Sequence, residues 1–229
     1  MLSSESIDSL LEWGRAARRD LPWRRTRDPW LVLVSEVMLQ QTQVDRVVDR
    51  YLRFTERWPA PRDLAAEDLA TVLREWQGLG YPRRARNLHL AAVQMVARFE
   101  GAVPHRYDDL LTLPGIGPYT ARAVRVFAYE QHEAVLDTNV GRLLARWNGS
   151  SLAAEEAQRA ADALVPSSRS WEWGQTLFDF ETRPVIQFHR SGFFPGFSIQ
   201  AIDYRVGEIE FFRPVLKRVF RGNKVIVQY

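Results

Sequence analysis

The stretch LTLPGIGPYTARAV, Leu111 to Val124, decides the fold. Gly115 and Gly117 let the backbone turn sharply and approach another chain closely. Pro118 opens the helix that follows, where its missing N–H costs nothing. The string has the form of a helix-hairpin-helix. The hairpin amides and the positive end of the second helix then face outward as a cradle for phosphate. An ordinary helix–loop–helix turn is the alternative, and the complete LPGIGPYTA string favours the hairpin.

Working outward, the chain continues to read as helices. SIDSLLEWGRAARRD spaces Ile7, Leu10, Leu11 and Trp13 as one apolar face. Pro29 suits the first turn of a helix through WLVLVSEVMLQQTQ. VDRVVDRYLRFTERW, AAEDLATVLREWQ, RARNLHLAAVQMVARF, PYTARAVRVFAYE and TNVGRLLARW follow the same periodicity, with breaks at WPAP, GLGYP and EGAVP. After about residue 180 the text changes: FSIQAIDYRVGEIEFFRP and NKVIVQY are β-like. Residues 1–180 hold no lysine and only Ile7 and Ile116, whereas residues 181–229 hold both lysines and five isoleucines. That tail carries eight cationic against four acidic residues, so the chain's net charge of +3 leaves −1 for the rest. A net of +3 over 229 residues says little about nucleic acid, but nearly every cation is Arg, which contacts phosphate bidentately.

Composition excludes several chemistries. The chain has no cysteine, which removes disulfides, thiolate metal sites, Cys-ligated clusters and Cys nucleophiles. His89, His105, His132 and His189 do not cluster at ligand spacing, so no metal site is expected. No apolar run reaches the roughly 18–20 residues needed to span a bilayer, and no signal peptide is evident. A cytoplasmic monomer without membrane contact, nucleoid-associated if bacterial, is the expectation.

Three further motifs carry candidate chemistry. Glu36 lies among Val34, Val37, Met38 and Leu39, where a carboxylate resists ionising and suits a general acid. A helix-edge Glu paired with Arg is the plainer reading. Asp137, in LDTNVGRLLARW, precedes a helix, which on local evidence makes it an N-cap. A carboxylate there stays ionised and could also face an oxocarbenium-like centre. Tyr81 sits on the Gly-rich turn of QGLGYPRRARNLH beside Arg83, Arg84 and Arg86. An aromatic flanked by cations suits insertion into a base stack with phosphate clamping, and a loop with a solvated helix start is equally natural.

Taken in order, RRDLPWRR, SEVMLQQTQV, GLGYPRRARNLH, LPGIGPYTARAV and LDTNVGRLLAR closely resemble the helix-hairpin-helix DNA glycosylase superfamily, and within it the MutY-type adenine DNA glycosylases. The resemblance covers about residues 8–180. It implies a mainly α, two-lobed fold: a six-helix barrel at 22–133 containing the hairpin at about 111–124, and a second helical lobe from 1–21 and 134–184. Residues 185–229 form an atypical, partly β-like tail. It implies a monofunctional enzyme that hydrolyses the N-glycosidic bond of adenine opposite 8-oxoguanine or guanine in double-stranded DNA. By resemblance Glu36 is the catalytic acid, Asp137 stabilises the sugar cation and Asn139 is an active-site polar residue. Tyr119 stands where bifunctional relatives carry a Schiff-base lysine. Arg19, Trp23, Arg24, Leu39 and Gln175 surround the extruded adenine. Gln41 and Tyr81 fill or wedge the stack, with Arg83 and Arg86 beside them, and Gly115 and Gly117 bind phosphate.

The resemblance breaks after WGQTLFDF. The family continues into four cysteines that hold a [4Fe–4S] cluster, and here Val185 stands near the first of them, so no cofactor is expected. The usual C-terminal domain for reading 8-oxoguanine has no room in the last 49 residues. The tail is either a natural replacement for the cluster loop or an unrelated graft. Two other functions therefore stay open: thymine or uracil release from mismatches with guanine, and a catalytically impaired DNA-binding remnant.

Overall fold

Residues 29–39 are apolar almost all round, and such a helix has to be covered on every side. In the computed structural model, which describes Leu2, residues 4–182 and the strands at 187–189 and 198–200, this segment is α2 (Pro29–Leu39). Trp30 and every residue from Val32 to Met38 are buried. Asp28 starts the helix: its carboxylate accepts from the amides of Trp30 (2.8 Å) and Leu31 (3.1 Å), and Pro29 follows in the first turn.

Around α2 pack a 3-10 turn (Pro22–Arg24), α3 (Val44–Arg57), α6 (Arg83–Arg98) and α8 (Pro118–Phe127). The short helices α4 (Pro61–Ala65) and α5 (Leu69–Glu75) cover α6, and α7 (Tyr107–Leu111) precedes α8. Phe54 stacks edge-on with Trp58 and Trp76, and the Trp30 indole donates to the Trp58 carbonyl at 3.0 Å. These elements form one compact unit, Arg19–Val135.

Among the described residues, those up to Arg18 and those from Leu136 onward form the other unit. Here α1 (Ser4–Ala17) packs on α11 (Ser170–Thr182), joined by α9 (Thr138–Asn148) and α10 (Ala154–Asp162). Leu10, Leu11 and Trp13 are the buried face, with Trp13 edge-on to Phe180. Gly14 permits the close approach: a Cβ there would lie 2.1 Å from the Thr176 hydroxyl oxygen. Glu172 accepts from Arg15 (2.5 Å) and Arg169 (3.1 Å), and Arg169 also pairs with Asp8 (3.0 Å).

The sequence placed the lobe boundaries at 21/22 and 133/134; the chain passes between units at 18/19 and 135/136. Of the helices that are shorter than their periodicity suggests, two differ by four residues or more. α2 stops at Leu39 rather than running to Gln43, because Arg84 takes the carbonyls that a further turn would use. The AAEDLATVLREWQ segment starts its helix only at Leu69, where the Asp68 side chain caps the Thr71 amide. The acidic pairs Asp108–Asp109 and Glu155–Glu156 open α7 and α10, as the helix dipole favours.

The β-like reading of the tail is met at β2 (Ser198–Gln200), which pairs antiparallel with β1 (Gln187–His189), Phe188 opposite Ile199. β1 falls in a stretch that gave no strand signal. Val185, NKVIVQY and the rest of the tail lie outside the described residues.

Candidate active site

Glu36 lies on the last turn and a half of α2 and is only 6% exposed. Its neighbours along the helix, Val34, Ser35, Val37 and Met38, are buried too. The carboxylate therefore lies inside the unit and not at an exposed helix edge. Leu39, one turn on, is half-buried. Trp23 and Arg24, on the 3-10 turn packed against α2, are buried, and the Arg24 guanidinium donates to the Arg19 carbonyl at 3.1 Å. Trp23 meets Tyr51 edge-on with centroids 5.4 Å apart. Burial, helped by the Asp28 carboxylate, pushes the Tyr51 phenol up to about 12, so it stays protonated at neutral pH.

Two turns border this end of α2. Gln41 follows the helix and Tyr81 follows Gly80, and both side chains are exposed, Tyr81 at 59%. Both residues hold left-handed backbone, φ 56° and 47°. Arg83 and Arg86 are exposed beside Tyr81. Arg84 is not part of that cationic rim: it is buried and donates to the carbonyls of both turns. The sequence carried a signal for this, since Arg84 shares a helical face with Leu88, Ala91, Ala92 and Met95, all buried.

The hairpin comes to the same unit through α8, which packs on α2, and the Gln40 amide donates to the Thr120 hydroxyl at 3.3 Å. Gly115 needs its freedom: φ is +79°, and a Cβ would sit 2.8 Å from the Cβ of Asn87. Gly117 is extended, and a Cβ there would meet nothing within 4 Å. The first glycine is therefore required by the fold, and the second opens onto free space. Tyr119 is half-buried in the first turn of α8.

Asp137, Asn139 and Gln175 belong to the other unit. Asp137 caps α9: its carboxylate accepts from the Val140 amide at 2.7 Å, and its carbonyl accepts from Gly141 at 2.9 Å. Asn139 accepts from Arg142 through its side-chain oxygen. Gln175 is buried on α11, which packs against α9. The N-cap reading of Asp137 thus holds, and it fixes the carboxylate at a helix start.

A buried acid, two exposed turns and a glycine hairpin on one unit match a family pattern. Residues 34–167 fit the family described as HhH-GPD superfamily base excision DNA repair protein. The chain belongs to this family. It is 50% identical over 161 residues to the adenine DNA glycosylase of Mycolicibacterium smegmatis, covering 69% of this chain and 55% of that one. The chain spans about half the length of the curated relatives it matches. Among solved structures, a thermostable thymine-DNA glycosylase matches with a TM-score of 0.74 and 28% identity, over 77% of this chain and 84% of that one. An endonuclease III–DNA complex shares the fold, with a TM-score of 0.68 at 23% identity, over 79% and 86%.

Proposed function

We propose that this protein is a monofunctional DNA glycosylase that releases adenine mispaired with 8-oxoguanine or guanine. The observation that carries the reading is Glu36, a carboxylic acid buried in an apolar helix on the unit that also bears the hairpin and both exposed turns. Cleavage of an N-glycosidic bond needs a proton on the leaving base and a stabilised sugar cation. In this reading Glu36 protonates the adenine ring, the C1′–N9 bond breaks, and the base leaves neutral. Asp137, on the other unit, supplies the carboxylate that stabilises the oxocarbenium ion, and water adds to C1′ and gives up its proton to the Glu36 carboxylate. Asn139 and Gln175 serve as polar contacts, with Arg19, Trp23, Arg24 and Leu39 around the extruded base.

Gln41 and Tyr81 would fill the gap that extrusion leaves, at a cost of a few kcal/mol that a mispair lowers. Arg83, Arg86 and the Gly115–Gly117 turn would hold phosphates on either side. The 229 residues contain no cysteine, so no thiolate set for an iron–sulfur cluster exists in them and no step is routed through one. The preference for adenine is supported by relatives named adenine DNA glycosylase at up to 50% identity. Thymine release is the second reading, favoured by the structural likeness to a thymine-DNA glycosylase.

Single-turnover excision tests this on labelled duplexes with A opposite 8-oxoguanine, A opposite G, T opposite G, U opposite G and matched pairs. Adenine release from the first two alone is expected. Thymine or uracil release overturns the base assignment; duplex binding without any release overturns the enzyme assignment. Glu36→Gln should lower adenine release by about 100-fold or more while duplex affinity holds.

A further inference from the structure

Arg84 spends its guanidinium on the two turns that carry Gln41 and Tyr81. Nη1 donates to the carbonyls of Val37 (3.0 Å), Met38 (2.8 Å) and Gln40. Nη2 donates to the Thr42 hydroxyl (2.9 Å) and to the carbonyls of Leu79 (2.8 Å) and Gly80 (3.2 Å). Nη1 serves the end of α2, and Nη2 bridges the Gly-rich turn and the Thr42 hydroxyl that follows α2. Thr42 adds a direct tie by donating to the Leu79 carbonyl at 3.2 Å, and the Trp76 indole donates to Gly80 at 3.1 Å. The guanidinium carbon lies 5.5 Å from the ring centroids of both Trp76 and Tyr81. The cation therefore supports the Tyr81 ring from within.

Each tied segment runs into a residue in left-handed backbone, Gln41 and Tyr81. Neither is glycine, so each conformation persists only because its surroundings over-determine it. Free turns would sample other conformations, and the two exposed side chains would move independently. A planar fork with five donors can hold both turns at once, whereas an ammonium is a point charge with three.

We propose that Arg84 is a positioning residue that locks Gln41 and Tyr81 into one preformed wedge, so that both side chains enter the duplex together during base extrusion. The proposal rests on the glycosylase reading above for the use of the wedge; the locking itself concerns the free protein.

Hydrogen exchange of the free protein, read by mass spectrometry, separates the two. Arg84→Met should raise exchange about tenfold or more in residues 40–42 and 79–81 together, leaving the 111–124 hairpin unchanged. Thr42→Val keeps the guanidinium but removes one acceptor and the direct tie, and should give the same paired rise at smaller amplitude, even if Arg84→Met fails to fold. A rise in only one turn, or a uniform rise across the unit, overturns the proposal.

On A opposite 8-oxoguanine, Arg84→Met should slow single-turnover release by about 100-fold at saturating protein, and Arg84→Lys should not restore it. In a Gln41→Ala/Tyr81→Ala background the same change should cost less than about threefold, because the groups it positions are gone. An undiminished loss in that background also overturns it. If wild-type protein releases no base, the glycosylase reading fails, and the exchange result alone decides the locking.

Discussion

Gly115 and Gly117 are two residues apart in one turn, and replacing each with alanine should have opposite consequences. At Gly115 an alanine would adopt φ of +79°, which costs a residue with a Cβ about 1–2 kcal/mol. Its Cβ would also sit 2.8 Å from the Cβ of Asn87, an atom fixed by α6 rather than the free end of a side chain. Relief needs a backbone shift, worth about 1–3 kcal/mol. Gly115→Ala should therefore lose about 2–5 kcal/mol of stability, a large share of the roughly 5–15 kcal/mol a domain holds.

Gly117 is extended, and a methyl group on its Cα would have no atom within 4 Å. Restricting the unfolded chain there gains about 0.4–1 kcal/mol, and the poorer N-cap costs a similar amount. Stability should thus stay within about 1 kcal/mol of wild type. In the proposed binding mode the methyl would instead occupy the space of a phosphate. Losing one amide bond to a charged oxygen costs about 1.5–3 kcal/mol, or roughly 10- to 100-fold in affinity. Urea unfolding followed by circular dichroism reads the first variant, and fluorescence anisotropy on a mispaired duplex across a salt series reads the second. Unchanged affinity in Gly117→Ala at every salt concentration refutes the phosphate assignment. Unchanged stability in Gly115→Ala refutes the steric argument.

Three other outcomes are expected. Burial raises the Glu172 carboxyl, but hydrogen bonds and charges from Arg15 and Arg169 outweigh it, so its folded pKa lies below the ordinary 4.5. A depressed carboxylate stabilises above its unfolded pKa and loses that contribution as pH falls through the folded value. Glu172→Gln should accordingly lower the urea midpoint at pH 7 and flatten its decline below about pH 4.5; a parallel decline would contradict the pairing. Gly14→Ala gains about 1 kcal/mol of helix propensity but drives a Cβ to 2.1 Å from the Thr176 hydroxyl oxygen, so a net loss of about 1–2 kcal/mol is expected, partly restored by Thr176→Ala. Borohydride reduction during turnover should trap no protein–DNA adduct, as resolved on a denaturing gel, because residues 1–180 hold no lysine to form a Schiff base.

The long helices were legible because their apolar spacing is regular. α3, α6 and α9 follow the sequence to within a residue or two, and Pro29, Gly115 and Pro118 occupy the positions their chemistry demands. What escaped was set by contacts far apart in sequence. No local rule ends α2 at Leu39; the cause is Arg84, more than forty residues on. The string PRRARN reads as a row of solvated cations, yet the helical period turns one of its three arginines inward. Gly14 looks like a weak point in a helix until Thr176 is brought against it. The candidate acid was legible as a carboxylate among apolar residues, although the local balance favoured an exposed pair; its near-complete burial depends on helices contributed from both sides of it in sequence.

Composition also constrains the product. A lyase step needs an uncharged amine to attack C1′ of the opened sugar and form an imine. Residues 1–180 contain no lysine, and arginine keeps its proton at any working pH. Lys217 and Lys224 fall in the tail, after the composition changes. The helical core therefore offers no lysine amine for that attack, whichever base it releases. In the proposed reaction such a core would leave the strand intact with an abasic sugar in place. On that reading the sugar would still sit opposite the retained base, and a separate strand-cleaving activity would have to consume it.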